Sequence, residues 1–147
     1  MARFRLERPA ATDKAALFAI HELLFKEQIS LIWGWDEAWQ RANFDEEWER
    51  VETLAIHDGT GMAGYLQTER HPDHVYVLNL ALLPASQECG IGGGVIEILK
   101  EEARSLETSL RLSVFHINER ALSFYLRHGF QIQESTDTGK KLVWPGA

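Results

Sequence analysis

Gln87-Glu88-Cys89-Gly90-Ile91-Gly92-Gly93-Gly94 lies between two segments of different periodicity. Before it, His74-Val75-Tyr76-Val77-Leu78-Asn79-Leu80-Ala81-Leu82-Leu83-Pro84 is mostly β-branched or apolar and stops at a proline, which reads as a strand. After it, Val95-Ile96-Glu97-Ile98-Leu99-Lys100-Glu101-Glu102-Ala103-Arg104 carries apolar residues at helical spacing. A strand, a glycine loop and a helix in that order aim free backbone N–H groups and the positive end of a helix dipole at whatever enters the loop. Glycines remove the Cβ atoms that would hold a ligand off the backbone. The ligand favoured by such a loop is a phosphate or pyrophosphate.

Two common phosphate motifs fail on residue identity. A P-loop needs Lys and then Ser or Thr after its last glycine, where this chain has Val95 and Ile96. The dinucleotide fingerprint, started at Gly90 and Gly92, needs a glycine at Val95, and it belongs in the first strand–helix unit of a parallel sheet. What remains, Gln87-x-x-Gly90-x-Gly92 after a strand ending in Pro84, resembles the acetyl-CoA loop of the GNAT N-acetyltransferase superfamily, Gln or Arg-x-x-Gly-x-Gly or Ala. A second motif follows in the family's order. Leu110-Arg111-Leu112-Ser113-Val114-Phe115 alternates as a strand, and Asn118, a favoured N-cap, opens a helix that stops at Gly129. Asn118, Ala121, Tyr125, Gly129 and Phe130 match the family signature of a short helix that carries a tyrosine and ends in Gly-Phe. The resemblance is specific from about Leu78 to Phe130 and topological outside that span.

Working outward, Phe4–Glu7 reads as a first strand and Thr12 as the N-cap of a helix with Ala16, Leu17, Ile20 and Leu24 on its apolar face. Asp36 or Asp45 is placed to cap a second helical region holding Trp39, Phe44, Trp48 and Val51. Leu54–His57 and Met62–Gln67 flank the hairpin turn Asp58-Gly59-Thr60-Gly61. Phe130–Glu134 and Lys141–Trp144 read as two last strands. The sum is an α/β (α+β) chain, β-α-α-β-β-β-α-β-α-β-β. That is the order of a GNAT-like fold, a mixed six- to seven-stranded sheet with about four helices, expected as a single domain over residues 1–147.

Bulk properties narrow the partners. The 147 residues carry 15 Lys and Arg against 22 Asp and Glu, a net charge of −7, which argues against a nucleic-acid backbone and suits cationic acceptors. No apolar run reaches the roughly 18 residues of a membrane span, and the N-terminal segment lacks a signal-peptide core. The one cysteine, Cys89, excludes an internal disulfide and fits the reducing cytoplasm. Monomer and homodimer both remain open.

The resemblance implies a cosubstrate, acetyl-CoA, and assigns residues to it. Leu80, Leu82 and Leu83 mark the strand edge along which pantetheine would lie. Gln87, Gly90, Ile91, Gly92 and Gly93 would hold the pyrophosphate, although Glu88 is an acidic departure from a loop that is often basic in the family. Asn118 either contacts cofactor or only caps its helix. Tyr125 corresponds to the tyrosine that protonates the leaving thiolate as general acid. Some relatives place a base where Ser113 stands, and serine cannot do that work unaided. The base is therefore open among Glu69, His71, His74 and His116. His71-x-x-His74 supplies two metal ligands without a third, so no metal is expected. Cys89 has no assignable base and is not expected to be a nucleophile. Asn79, polar within an apolar strand, either lines the acceptor end of the cleft or bonds a neighbour. In Trp33-Gly34-Trp35-Asp36-Glu37-Ala38-Trp39 the tryptophans either cement a helix onto the sheet or, with Asp36, form an acceptor wall for a cationic amine. The expected activity is direct transfer of an acetyl group to a primary amine of a small molecule or peptide in a ternary complex. The alternative is a non-catalytic acyl-CoA-binding or sensor module.

Overall fold

The computed structural model describes residues 3–146. In chain order the elements are β1 (Arg5–Glu7), α1 (Lys14–Ile32), α2 (Glu37–Arg50), β2 (Glu52–Asp58), β3 (Gly61–His71), β4 (His74–Leu82), α3 (Ile91–Ser105), β5 (Ser109–Phe115), α4 (Glu119–Arg127), β6 (Gln131–Ser135) and β7 (Gly139–Trp144), with short 3-10 turns at Ala11–Asp13 and Pro84–Ser86. The strands form one mixed seven-stranded sheet in the order β1-β2-β3-β4-β5-β7-β6, and the expected α/β order holds element for element. Two compact units are distinguished: residues up to Thr68 with Asn79–Gly92, and Glu69–Leu78 with the chain from Gly93 onward.

In the first unit β1, β2 and β3 form an antiparallel meander, turned at Asp58, whose carboxylate accepts from the Thr60 N–H at 2.7 Å. The helical layer packs on it through Leu17, Phe18, Ile20, Phe44, Tyr65 and Ala81, with Leu24, Phe25, Trp35, Trp48, Met62 and Leu83 around them. Ala16 is exposed, so the buried face of α1 turns through Leu17, Phe18 and Ile20 instead. Thr12 lies inside a 3-10 turn and Asp13 takes the N-cap position, because that extra turn precedes the α-helix. Of the two candidate caps for α2, Asp36 accepts from the Trp39 N–H at 2.9 Å, while Asp45 sits mid-helix and pairs with Lys14 at 2.7 Å. The end of α1 is set by Gly34 (φ +85), whose N–H reaches Ile29 O at 3.1 Å, a left-handed helix stop.

In the second unit β4 and β5 run parallel from His74↔Ser109 to Val77↔Leu112. The next residues, Leu78 and Ser113, lie beyond that register. β5 buries Leu110, Leu112 and Val114 on one face, pairs with β7 along its length, and β7 pairs with β6. α3 buries Val95, Ile96, Leu99 and Ala103, the positions expected from helical spacing, but starts earlier than its apolar run because the glycines already form its first turn.

β3 and the end of β4 approach closely at Gly64. A Cβ placed there would lie 1.9 Å from Ala81 O, well inside contact distance, whereas a Cβ at Gly59 would meet nothing within 4 Å. Gly64→Ala is expected to lower unfolding free energy in urea by about 3 kcal/mol, and Gly59→Ala to leave it within about 1 kcal/mol.

Candidate functional site

The glycine loop belongs to the first unit and is tied to the strand that leads into it. Gln87 Nε2 donates to Leu82 O at 2.9 Å, Ser86 Oγ donates to Asp58 at 3.0 Å, and the Leu83 N–H donates to Ala63 O at 2.8 Å. Gly90 turns the chain at φ +83, a conformation that suits glycine, and α3 begins one residue later. The first N–H groups of α3, from Ile91 to Gly94, have no acceptor one turn back within the helix. Gly90 is exposed, whereas Ile91 and Gly92 are buried. Leu80 and Leu83 are half-buried and Leu82 is buried, so β4 offers little apolar surface at its C-terminal end. Glu88 is exposed, and the Cys89 thiol donates to Ala85 O at 3.6 Å.

Gly93 falls in the second unit, and its lack of a side chain has a packing cause. A Cβ there would stand 3.1 Å from His128 Cε1, so the glycine makes room for that ring. Asn118 accepts from the Ala121 N–H at 3.1 Å as the cap of α4. Tyr125 is 8% exposed and packs its ring on Phe124 and Phe130, with centroids 5.1 and 5.3 Å away. Burial pushes its phenol well above the ordinary range, so it is protonated at any working pH. Gly129 follows the helix at φ +89, as its place in the motif predicts.

The four candidate bases are each bonded. His71 Nε2 donates to Glu69 Oε1 at 2.8 Å, and the His71 ring stacks on His74 at 4.5 Å. His74 Nδ1 donates to Asp73 Oδ1 at 2.8 Å. His116 Nε2 donates to Thr136 O at 2.6 Å while its Nδ1 accepts from Lys140 Nζ at 3.2 Å, which leaves that ring no open nitrogen. Tyr76 OH donates to Ser113 Oγ at 3.1 Å. Among the described residues no group of three or more His, Cys, Asp or Glu is arranged to hold a metal ion, and no helix is long and apolar enough to cross a membrane.

The residues expected at the acceptor end divide. Asn79 Nδ2 donates to Gln67 Oε1 at 2.8 Å, and the fully buried Gln67 donates in turn to Thr53 Oγ1 at 3.2 Å, so Asn79 bonds a neighbouring side chain. Trp33 and Trp39 are exposed, whereas Trp35 packs against the core. Asp36 serves as a helix cap, and Glu37 accepts from Trp35 Nε1 at 3.0 Å and Arg41 Nε at 2.7 Å.

One polar group here has no motif around it in the sequence. His21 on α1 donates from Nε2 to Gln40 Oε1 at 3.1 Å, and its Nδ1 accepts from Tyr65 OH at 3.4 Å. Its partners lie 19 and 44 residues away, and only folding assembles them. Burial holds the imidazole below its ordinary value, Gln40 and Glu22 opposing. Burial also holds the Glu47 carboxyl above its ordinary value and, with the Glu47 charge, keeps Tyr65 protonated.

The sequence profile of the acetyltransferase (GNAT) family matches residues 17–130. Among solved structures, PaiA N-acetyltransferase from Thermoplasma acidophilum in complex with coenzyme A is similar with a TM-score of 0.77 at 14% identity, over 97% of this chain and 99% of that one. A GNAT-family acetyltransferase from Listeria monocytogenes gives 0.70 at 18% identity, over 97% and 96%. The ribosomal-protein-S18-alanine N-acetyltransferase of Escherichia coli gives 0.65 at 21% identity, over 97% and 94%. At these identities the likeness is one of fold. No curated protein is significantly similar in sequence.

Two outcomes check this local account. Asp36→Ala is expected to cost about 1 kcal/mol of stability in urea, the usual value of a lost cap. The unfolded His21 takes a proton near pH 6.5 and the folded one resists it to lower pH. Its contribution to stability is therefore complete above pH 6.5 and is lost as pH falls through the folded value. Stability is expected to fall as the pH drops below about 6.5, and to fall less in His21→Gln.

Proposed function

Because the chain belongs to the acetyltransferase (GNAT) family, whose members use acetyl-CoA, we propose that it transfers the acetyl group of acetyl-CoA directly to a primary amine. The amine belongs to a small molecule or a peptide, and transfer occurs in a ternary complex in the cytoplasm. The observation that carries this reading is the loop itself. Gln87 turns its amide back onto Leu82 O, Gly90 takes a positive φ, and α3 starts at once, so a run of backbone N–H groups opens at a helix N-terminus. The pyrophosphate is assigned to Gly90, Ile91 and Gly92, with Gln87 bracing the loop.

Pantetheine is assigned to the edge of β4 at Leu80, Leu82 and Leu83, past the last pairing with β5 at Val77. A backbone N–H near Leu82 would polarise the thioester carbonyl. The neutral amine attacks the carbonyl carbon, the C–N bond forms and the C–S bond breaks. The leaving thiolate takes a proton from Tyr125, whose buried phenol is held in its protonated form. The attacking nitrogen gives up the proton that restores the phenol. Asn118 supports this helix as its cap, and Trp33, Trp35 and Asp36 are assigned to the acceptor end.

Isothermal titration with acetyl-CoA is expected to give micromolar binding, with NAD giving none. Binding without amine-dependent thiol release would leave an acyl-CoA-binding module. Tyr125→Phe is expected to lower kcat on the order of 100-fold while acetyl-CoA affinity stays within about threefold. Unchanged turnover would remove Tyr125 as the acid.

A further inference from the structure

The His128 ring stands beside the first turn of α3, inside the second unit. Its Cε1 and Nε2 atoms lie 3.1 and 3.5 Å from the point a Gly93 Cβ would occupy, and the ring packs on Phe124 with centroids 4.5 Å apart. Among the described residues nothing donates to or accepts from either ring nitrogen. The buried side-chain atoms left without a partner are Gln28 Oε1, Thr108 Oγ1 and Arg111 Nε. The His128 nitrogens are not among them, so both reach solvent. Gly93, Gly94 and His128 itself are each half-buried, which keeps this corner open.

Three charged groups act on the ring: Glu97 and Lys100 from α3, and Arg127 next to it on α4. Lys100 Nζ lies 3.5 Å from Glu97 Oε1 and 5.4 Å from the Trp144 ring centroid, and 3.9 Å from the Cβ position at Gly129. Two bases against one acid, the acid itself paired with Lys100, leave the corner positive. The N–H groups of Gly93 and Gly94, with no acceptor one turn back, add the positive end of the helix dipole. Burial, and then the Lys100 and Arg127 charges, hold the free imidazole below its ordinary value, with Glu97 opposing. The same surroundings that discharge the ring attract an anion, and an anion beside the ring favours its charged form.

We propose that His128 is a phosphate-binding residue of the CoA site, neutral in the free protein and protonated when a CoA phosphate lies against Gly93. This rests on the acetyltransferase reading above, which assigns a CoA phosphate to the loop that enters α3. The imidazolium donates a charge-assisted hydrogen bond to a phosphate oxygen. Its proton comes from solvent on binding and returns there on release. The gain in affinity is complete below the value of the free ring and is lost as pH rises through the value of the ring in the complex. CoA therefore binds more tightly at pH 6 than at pH 8. The diphosphate and the 3′-phosphate of CoA offer the same oxygens, and dephospho-CoA separates them.

The test is calorimetric titration of the full chain with CoA and with dephospho-CoA at about pH 6.5, in two buffers of different ionisation enthalpy, which counts the protons taken up. Wild type is expected to take up about half a proton per CoA bound, and His128→Gln close to none. By NMR, the wild-type His128 ring is expected to titrate at higher pH with CoA bound than without, a readout that does not depend on the variant folding. His128→Gln is expected to weaken CoA about tenfold at pH 6 and less than about threefold at pH 8.5. Uptake with both ligands assigns the contact to the diphosphate, and uptake with CoA alone assigns it to the 3′-phosphate. Wild type that binds CoA without proton uptake, or a His128 titration that CoA leaves in place, overturns the assignment and leaves the acetyltransferase reading standing. So does uptake that survives unchanged in a folded His128→Gln, the result a carboxylate such as Glu88 would give. Wild type that binds no CoA overturns the assignment and the reading together.

Discussion

The contact between Gly64 and the Ala81 carbonyl sets much of what the first unit can do. It requires β3 and the end of β4 to touch backbone to backbone, since a methyl group would stand 1.9 Å from that oxygen. The Leu83 N–H to Ala63 O bond continues the same approach one step on. Tyr65 and Ala81 then share one buried cluster with α1 and α2. Gln87 reaches back to Leu82 O, so the glycine loop inherits its position from a strand that has itself been placed by this contact.

Polar groups buried in this unit survive because they are chained. Thr53, Gln67 and Asn79 pass hydrogen bonds across β2, β3 and β4, and Tyr65, His21 and Gln40 do so across β3, α1 and α2. A buried amide or hydroxyl without a partner costs a few kcal/mol, about as much as a good apolar contact contributes. Each chain therefore specifies how its elements meet as well as holding them. The same economy applies to Glu37, which the fold engages with both Trp35 and Arg41.

Legibility followed the range of the interactions. The strand, loop and helix around Gln87–Gly94 were readable because each rests on local periodicity or backbone freedom. Asn118 and Gly129 at the ends of α4, and Asp36 before α2, were readable for the same reason: a cap bonds within three residues. The 3-10 turn that displaces Thr12 from the cap, and the rotation that exposes Ala16, depend on how α1 seats on the sheet. Gly93 was expected in the phosphate loop from its place in the motif, whereas the room it leaves for His128, 35 positions along the chain (93 to 128), is set by packing that no motif carries. His21 carried no signal at all, being one histidine in an apolar helix.

The sequence by itself determined the order of elements, the glycine loop, the tyrosine-bearing helix and, through them, the family. These are encoded in residues that act on neighbours a few positions away, where chain connectivity already supplies proximity. Tertiary structure alone decided which partner each polar side chain bonds. His71, His74 and His116 were bonded by carboxylates, a carbonyl and a lysine close to the surface, whereas His21 was bonded by Gln40 and Tyr65 inside the helical layer. The difference lies in burial and in partners brought from distant positions, and neither exists until the chain has folded.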